Sequence, residues 1–268
     1  MAVDKALVRP KFAEDEIDWD SIITEDDTPV DNYVTERDYT LLTVPLDDNF
    51  VHSIHGKRFI VASDVGIFTE PKEPPIVPDV FLSLGLQVSS DQSHKRSRSY
   101  FMWITGKPPE VVIEIVSNEE GGEDTTKLAR YAHMGVKYYA IHDPHRDLSD
   151  VALRFFVLRD GRYVETTNTW MPEVELGLTL WVGEYRGMER EWLRWCDRHG
   201  QVIPTAAELF AQERVRSERA LEQVETERLR AEEERLRAEE ASRRAEEEWL
   251  RAERLAERLR QLGLSDVD

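Results

Sequence analysis

The stretch "PPEVVIEIVSNEEGGEDTTKLARYAHMGVKYYAIHDP", residues 108–144, decides the fold. "EVVIEIVS" is a β-branched run bounded by proline on one side and glycine on the other, which predicts a strand. "TTKLARYAHMG" predicts a helix with Asp124 as its N-cap and Gly135 as its stop. "VKYYAIHDP" predicts a second strand, closed by a proline-containing turn. Side chains alternate along an extended run, so Val112, Glu114 and Val116 share one face and Val111, Ile113, Ile115 and Ser117 the other. Burial on both faces accounts for the apolar residues. It does not account for Glu114, because an acid in a core is costly unless it is paired or bound to a cation.

Upstream, "KRFIVASDVGIF" and "IVPDVFLSL" read as further strands. Between them and the quoted stretch, "QVSSDQSHKRSRSYFMWITGK" begins as a polar loop and ends in a run, "SYFMWIT", that suits another strand. Downstream, "VALRFFVLRDGRYVETT" is a hairpin with Asp160-Gly161 as its turn. "GLTLWVGEY" continues the β material, and "REWLRWCDRHG" reads as a short amphipathic helix ending at Gly200. Strands, a helix, a strand and a hairpin in this order predict an α/β fold: a mixed central sheet flanked by helices. Residues 1–40 read as a polar, acidic lead-in, partly ordered, and residues 41–204 as the globular domain.

From Pro204 onward the composition changes. Four heptads follow from Arg228: "RLRAEEE", "RLRAEEA", "SRRAEEE" and "WLRAERL". No proline or glycine falls between Thr205 and Leu262, so residues 205–262 predict one long charged helix, with 263–268 as a disordered tail. Glu233/Arg237, Glu239/Arg243 and Glu240/Arg244 are i,i+4 pairs in the favourable orientation. Leu229, Leu236 and Leu250 share a heptad position that Arg243 interrupts, and the alanines do not supply a second seam position. The pattern suits a solvated, ion-paired single helix as well as it suits a weak dimeric coil. Leu255, Leu259 and Leu262 make a better seam for a homodimer.

The chain has 268 residues, 40% of them hydrophobic, enough for one sizeable domain and an appendage. Its net charge is −19, yet segment 213–260 holds 15 Glu against 13 Arg, so the surplus acid sits upstream. An acidic body disfavours broad coating of nucleic acid. The cluster His94, Lys95, Arg96 and Arg98 reads either as a phosphate contact or as a solvated loop. No run is long and apolar enough to span a membrane, and the first residues lack the order of a signal peptide. A lone Cys196 agrees with a reducing, cytoplasmic setting. Cys196 and His199 have no second pair to complete a zinc set, and no Walker-type or dinucleotide-binding glycine pattern occurs.

"PPIVPDVFLSL" supplies a second acid, Asp79, at the start of a strand. Pro-Asp alone is ordinary turn chemistry, and Glu114 alone suits an ion pair with a lysine or arginine. Together, on neighbouring strands, the two acids suit a hard divalent cation, which takes one or two carboxylates and completes its shell with water and phosphate oxygen.

"PD" at Pro78–Asp79 and "EIV" at Glu114–Val116 resemble the PD-(D/E)XK nuclease pattern, with Val116 where its lysine would stand. Lys127, in "EDTTKLARY", shares a helix face with Tyr131 and supplies a lysine from the next element. "VPDVFLSL", "PPEVVIEIVS", "DTTKLARYAHMGVKYYAIHDP" and "GLTLW" together resemble the Uma-two-type family of restriction-endonuclease-like proteins, whose cyanobacterial members often end in such a Glu/Arg/Ala-rich helix. The resemblance implies a restriction-endonuclease-like fold and a Mg²⁺-dependent endonuclease acting on DNA, with Mn²⁺ able to substitute. It implies that Asp79 and Glu114 ligate the metal, helped by the Ile115 carbonyl. Lys127 would then orient or deprotonate the attacking water, or stabilise the phosphate. Asp64 is a candidate third acid. Without the resemblance, Lys127 reads as an ordinary exposed helix lysine, and Tyr131 suits either the site or the core. The competing reading is a non-catalytic adaptor that keeps the nuclease fold and binds partners through its C-terminal helix.

Overall fold

The computed structural model describes residues 32–49, 58–70, 73–87, 98–116 and 123–262. The expectations for the first part of the lead-in, for His94, Lys95 and Arg96, for Ser117, for the Asp124 cap and for the tail 263–268 lie outside the described residues or side chains.

A six-stranded sheet forms the centre, in the order β1-β3-β5-β6-β7-β8. These strands are β1 (Phe59–Ser63), β3 (Val80–Leu84), β5 (Val111–Ile115), β6 (Tyr138–His142), β7 (Leu153–Arg159) and β8 (Arg162–Glu165). β5 and β6 pair in parallel, and the remaining neighbours pair antiparallel, so the sheet is mixed as expected. A parallel pair needs a crossover. It is supplied by a single π-helical turn, Glu123–Lys127, running into α3 (Leu128–Met134). Gly135 ends α3 at φ 87°, a left-handed conformation that a side chain would strain. Asp160 and Gly161, both at positive φ, join β7 to β8 as a two-residue hairpin turn.

The period-two alternation of β5 divides the core. Val111, Ile113 and Ile115 join Val80, Leu82, Ala140 and Phe155 on one face. Val112 and Val116 join Phe81, Tyr139, Ile141 and Phe156 on the other, under Tyr131 and Met134 of α3. The first face is covered by Leu42 and Leu46 of α1 (Tyr33–Asn49). Helix α1 thus begins inside the stretch read as a lead-in. Asn32 caps it, its Oδ1 accepting the N–H groups of Val34 and Thr35.

The run "REWLRWCDRHG" is not a helix. Met188–Cys196 is strand β10, paired antiparallel with β9 (Gly177–Tyr185) as a two-stranded ribbon. The apolar spacing of Trp192, Leu193, Trp195 and Cys196 suits a helix only if Arg194 faces water. Arg194 is instead fully buried, stacked 5.0 Å over the Trp181 ring and donating to the Ile203 carbonyl. A planar guanidinium that stacks on indole can occupy an interior position, and with it there the run alternates as a strand. Leu193 and Trp195 enter the core, and Trp195 Nε1 donates to the Leu42 carbonyl at 2.7 Å, tying the ribbon to α1. Trp195→Ala is expected to cost about 3–5 kcal/mol of stability. Urea unfolding checks this, and a loss under 1 kcal/mol would show that the ribbon contributes little. "SYFMWIT" also divides: Tyr100–Phe101 is strand β4, pairing with β2 (Ile67–Phe68), and Met102–Thr105 is the one-turn helix α2.

The chain separates into two compact units, residues 1–206 and 207–268. Helix α4 (Ala206–Gln261) runs for 56 residues with no buried side chain. Glu233/Arg237 and Glu240/Arg244 pair as the spacing predicts, whereas Glu239 takes Arg235 in place of Arg243. Exposed pairs of this kind contribute about 0.3–0.5 kcal/mol each.

Candidate active site

The sheet register brings the acids together. Val80 stands opposite Ile113 and Ser63 opposite Val80, so continuing the register by one residue aligns Asp64, Asp79 and Glu114 in one row. Asp79 Oδ2 accepts the Ile115 N–H at 2.5 Å, and its Oδ1 accepts the Tyr39 hydroxyl of α1 at 2.7 Å. The carboxyls of Asp79 and Glu114 are close enough for a hydrogen bond between them. Asp64 is exposed, and its backbone N–H reaches the Asp79 carbonyl at 3.2 Å.

Glu114 is fully buried. Its Oε1 accepts the Tyr131 hydroxyl at 2.5 Å, and its Oε2 lies 3.1 Å from Lys127 Nζ. Lys127 is therefore not a solvated helix lysine. Its ammonium bridges Glu114 and Glu123, each at 3.1 Å. The π-helical turn sets this up, since it carries both Glu123 and Lys127, and the Tyr139 hydroxyl pins it by donating to the Glu123 carbonyl at 2.8 Å. Such widened turns recur at functional sites because they re-aim a side chain that a regular helix would direct elsewhere. Asp79, Glu114, Lys127 and Tyr131 thus converge, while Val116 packs in the core.

The electrostatics follow from burial. Desolvation raises the Glu114 pKa well above the ordinary value and the Asp79 charge raises it further, against the pull of Lys127 and Tyr131. Burial also raises Asp79, opposed by the Ile115 N–H and the Tyr39 hydroxyl. For Lys127, desolvation works downward, but the charges of Glu114, Glu123 and Asp79 outweigh it and leave the pKa raised. Burial and Glu114 raise Tyr131 well above the usual phenol range, so it remains a donor.

Sequence reasoning missed Asp38. This α1 acid is 2% exposed, and its Oδ2 lies 3.6 Å from Arg190 Nη2 of β10. Burial raises its pKa to about 6, with Arg190 lowering it and Asp79 raising it. The signal was available: Asp38, Leu42 and Pro45 recur at i, i+4 and i+7, which puts the acid on the buried stripe of a helix.

Two carboxyls, those of Glu114 and Glu123, contact one ammonium, and the Asp79 carboxyl acts on it from farther off. Among the described residues, Glu123 Oε2 is buried without a hydrogen-bond partner, and no group of three or more His, Cys, Asp or Glu side chains is arranged to hold a metal ion. The neighbouring carboxyls of Asp79 and Glu114 fit a cation that takes few protein ligands. Mg²⁺ is such a cation, and an all-protein cage is not needed.

The sequence profile of the Uma2 family, described as "Putative restriction endonuclease", matches residues 28–183. Among solved structures, one described as "a putative nuclease belonging to DUF820", from Anabaena variabilis ATCC 29413, aligns with a TM-score of 0.34 and 9% identity, covering 52% of this chain and 67% of that chain. No curated protein matches the chain. Among the described residues, no helix is long and apolar enough to cross a membrane.

Proposed function

Because the chain belongs to the Uma2 family of restriction-endonuclease-like proteins, we propose that it is a Mg²⁺-dependent endonuclease that hydrolyses phosphodiester bonds in DNA. The observation that carries the reading is the convergence of Lys127 on Glu114 beside Asp79. Asp79 and Glu114 are the residues that would hold the cation. When bound, it would supply charge neutralisation at the phosphate and a water of lowered pKa. The Ile115 N–H and the Tyr39 hydroxyl orient the Asp79 carboxyl, and Tyr131 orients Glu114. Lys127 is held as an ammonium by its acidic neighbours. Its role is to donate hydrogen bonds and stabilise charge on the phosphate, not to abstract a proton. The single cysteine of the sequence suits a reducing, cytoplasmic setting.

The test is cleavage of supercoiled plasmid and of single-stranded circular DNA by the purified protein. Cleavage is expected with Mg²⁺ or Mn²⁺, lost in EDTA and restored by excess Mg²⁺. Cleavage that persists in EDTA would overturn the cation requirement. Intact substrate under every condition would favour the second reading, an adaptor. That reading draws on α4, where Phe210, Trp249 and Leu255 are exposed on a helix with no buried residue. The Leu255–Leu259–Leu262 seam is the proposed site for a second copy. Sedimentation equilibrium of the same preparation would refute that dimer by returning the monomer mass.

A further inference from the structure

Both oxygens of the Glu114 carboxylate are engaged. Oε1 accepts the Tyr131 hydroxyl, and Oε2 accepts from Lys127 Nζ at 3.1 Å. A divalent cation on Asp79 and Glu114 would therefore meet the ammonium. A ligand oxygen lies about 2.1 Å from Mg²⁺. With Lys127 still on the same oxygen, the two positive charges would be no more than about 5 Å apart. Glu114 is fully buried, so water screens that repulsion weakly. The Tyr131 hydroxyl is neutral and raises no such conflict.

A second place for the ammonium lies beside the first. Glu123 Oε1 is 3.1 Å from Lys127 Nζ, the same distance as Glu114 Oε2. Glu123 Oε2 is buried without a hydrogen-bond partner among the described residues, and an ammonium has three donors. Glu123 is itself fixed: it is 4% exposed, and its carbonyl accepts the Tyr139 hydroxyl. Lys127 has room to shift, since its side chain is 29% exposed. Trading one hydrogen bond for another within a single π-helical turn would free Glu114 and keep the ammonium on a carboxylate.

We propose that Glu123 is a positioning residue for cation binding: when a divalent cation takes Glu114, the Lys127 ammonium passes wholly to Glu123. The metal-free protein neutralises Glu114 with its own lysine, and the arriving ion displaces it. Glu123 gives the cation no ligand. It keeps Lys127 beside the site, where donors released from Glu114 turn to the phosphate. The charge that stabilises the phosphate is then offered only once the cation is bound. The inference rests on the reading of Asp79 and Glu114 as the cation site.

The test is a double-mutant cycle on Mn²⁺ binding, followed by electron paramagnetic resonance of the free ion at pH 8 without nucleic acid. Glu123→Gln is expected to weaken binding about tenfold, because Lys127 is then left with Glu114 alone. In Lys127→Gln the same change is expected to alter binding less than about twofold, because no ammonium has to be rehoused. Lys127→Gln by itself is expected to bind Mn²⁺ more tightly than wild type while cleaving DNA more slowly. An equal loss from Glu123→Gln in both backgrounds would show Glu123 acting on the cation itself and would overturn the inference. Weaker Mn²⁺ binding in Lys127→Gln than in wild type would do the same. Wild type alone gives a second reading, through the ¹⁵N resonance of the Lys127 ammonium. Saturating Mg²⁺ is expected to move that signal and leave it protected from exchange. A signal that stays in place, or is lost to exchange with water, counts against the transfer. If Mn²⁺ binds without coupling between Glu123 and Lys127, only this inference falls and the cation site stands. If Mn²⁺ binds to none of the four proteins, both fall.

Discussion

Asp79→Ala and Glu114→Ala are each expected to lower Mg²⁺-dependent cleavage at least about 100-fold, and Lys127→Ala to lower it on the order of 10²–10³-fold. The large effects follow from how the acids are held: Glu114 is fully buried beside the half-buried Asp79, and each takes donors from other elements. Asp79 is fixed by α1 and by the β5 backbone, Glu114 by α3 and the π-helical turn. Removing either leaves half of the anionic pair, while the partners that oriented the missing carboxyl remain. Removing Lys127 leaves the acids in place without the ammonium that pairs with Glu114. Rates on supercoiled plasmid, measured for matched preparations, decide the matter. Equal rates in wild type and all three variants would trace the cleavage to a contaminating nuclease.

The metal-free protein is expected to lose stability as pH rises from the ordinary carboxyl range, and Glu114→Gln to reduce that loss. The sign follows from linkage. An acid whose folded pKa is raised stabilises the fold by binding its proton, and that contribution is lost as pH rises through the folded value. Asp38, moved from 3.8 to about 6, loses its share as pH rises between those two values. His142 opposes it in nearly the same window. Burial lowers its pKa from 6.5 to about 4, so the protein loses stability as pH falls through that range. The two shifts are similar in size and nearly cancel. The carboxyls of Glu114 and Asp79, both raised by burial, then add a downward slope as pH rises. In Glu114→Gln the site carries a neutral side chain at every pH. Its Tm at pH 8 in EDTA should therefore exceed that of wild type, by about 2–4 °C for each kcal/mol relieved. Mg²⁺ should raise the wild-type Tm more at pH 8 than at pH 5, since a ligand of the folded state alone stabilises it by about 2.7 kcal/mol at 100 times its Kd. Thermal melts over this range are the measurement. A Tm that rises with pH in EDTA, or a variant that melts below wild type at pH 8, would contradict the account.

Much of this centre was legible in the sequence because alternation along a strand is a rigid rule. Period two placed Glu114 on the face of Val112 and Val116, and both valines pack on the side where α3 lies. Lys127 and Tyr131, one helical turn apart, were readable as facing together. That both face Glu114 depends on a π-helical turn, for which the run "EDTTK" carries no pattern. Two residues escaped for different reasons. Arg194 looked like the wet side of an amphipathic helix, and only the Trp181 ring stacked against it makes an interior arginine affordable. Asp38 sat in a stretch whose acidity suggested solvent, although its spacing to Leu42 placed it on a buried stripe. In both cases composition outweighed periodicity in the reading, and periodicity was the better guide.

The ammonium at the centre is delivered by a helical turn, while the strand position two residues beyond Glu114 holds Val116. What the carboxyls require is a positive charge at a point in space, whichever backbone brings it. Two backbone positions that bring a lysine to that point are therefore equivalent to the carboxyls, and the charge can pass from one to the other without a form that lacks it. A search keyed to fixed spacing between acid and lysine would pass over the descendants. Kinship among such proteins is better traced through the place where the charge arrives than through the position in the chain that sends it.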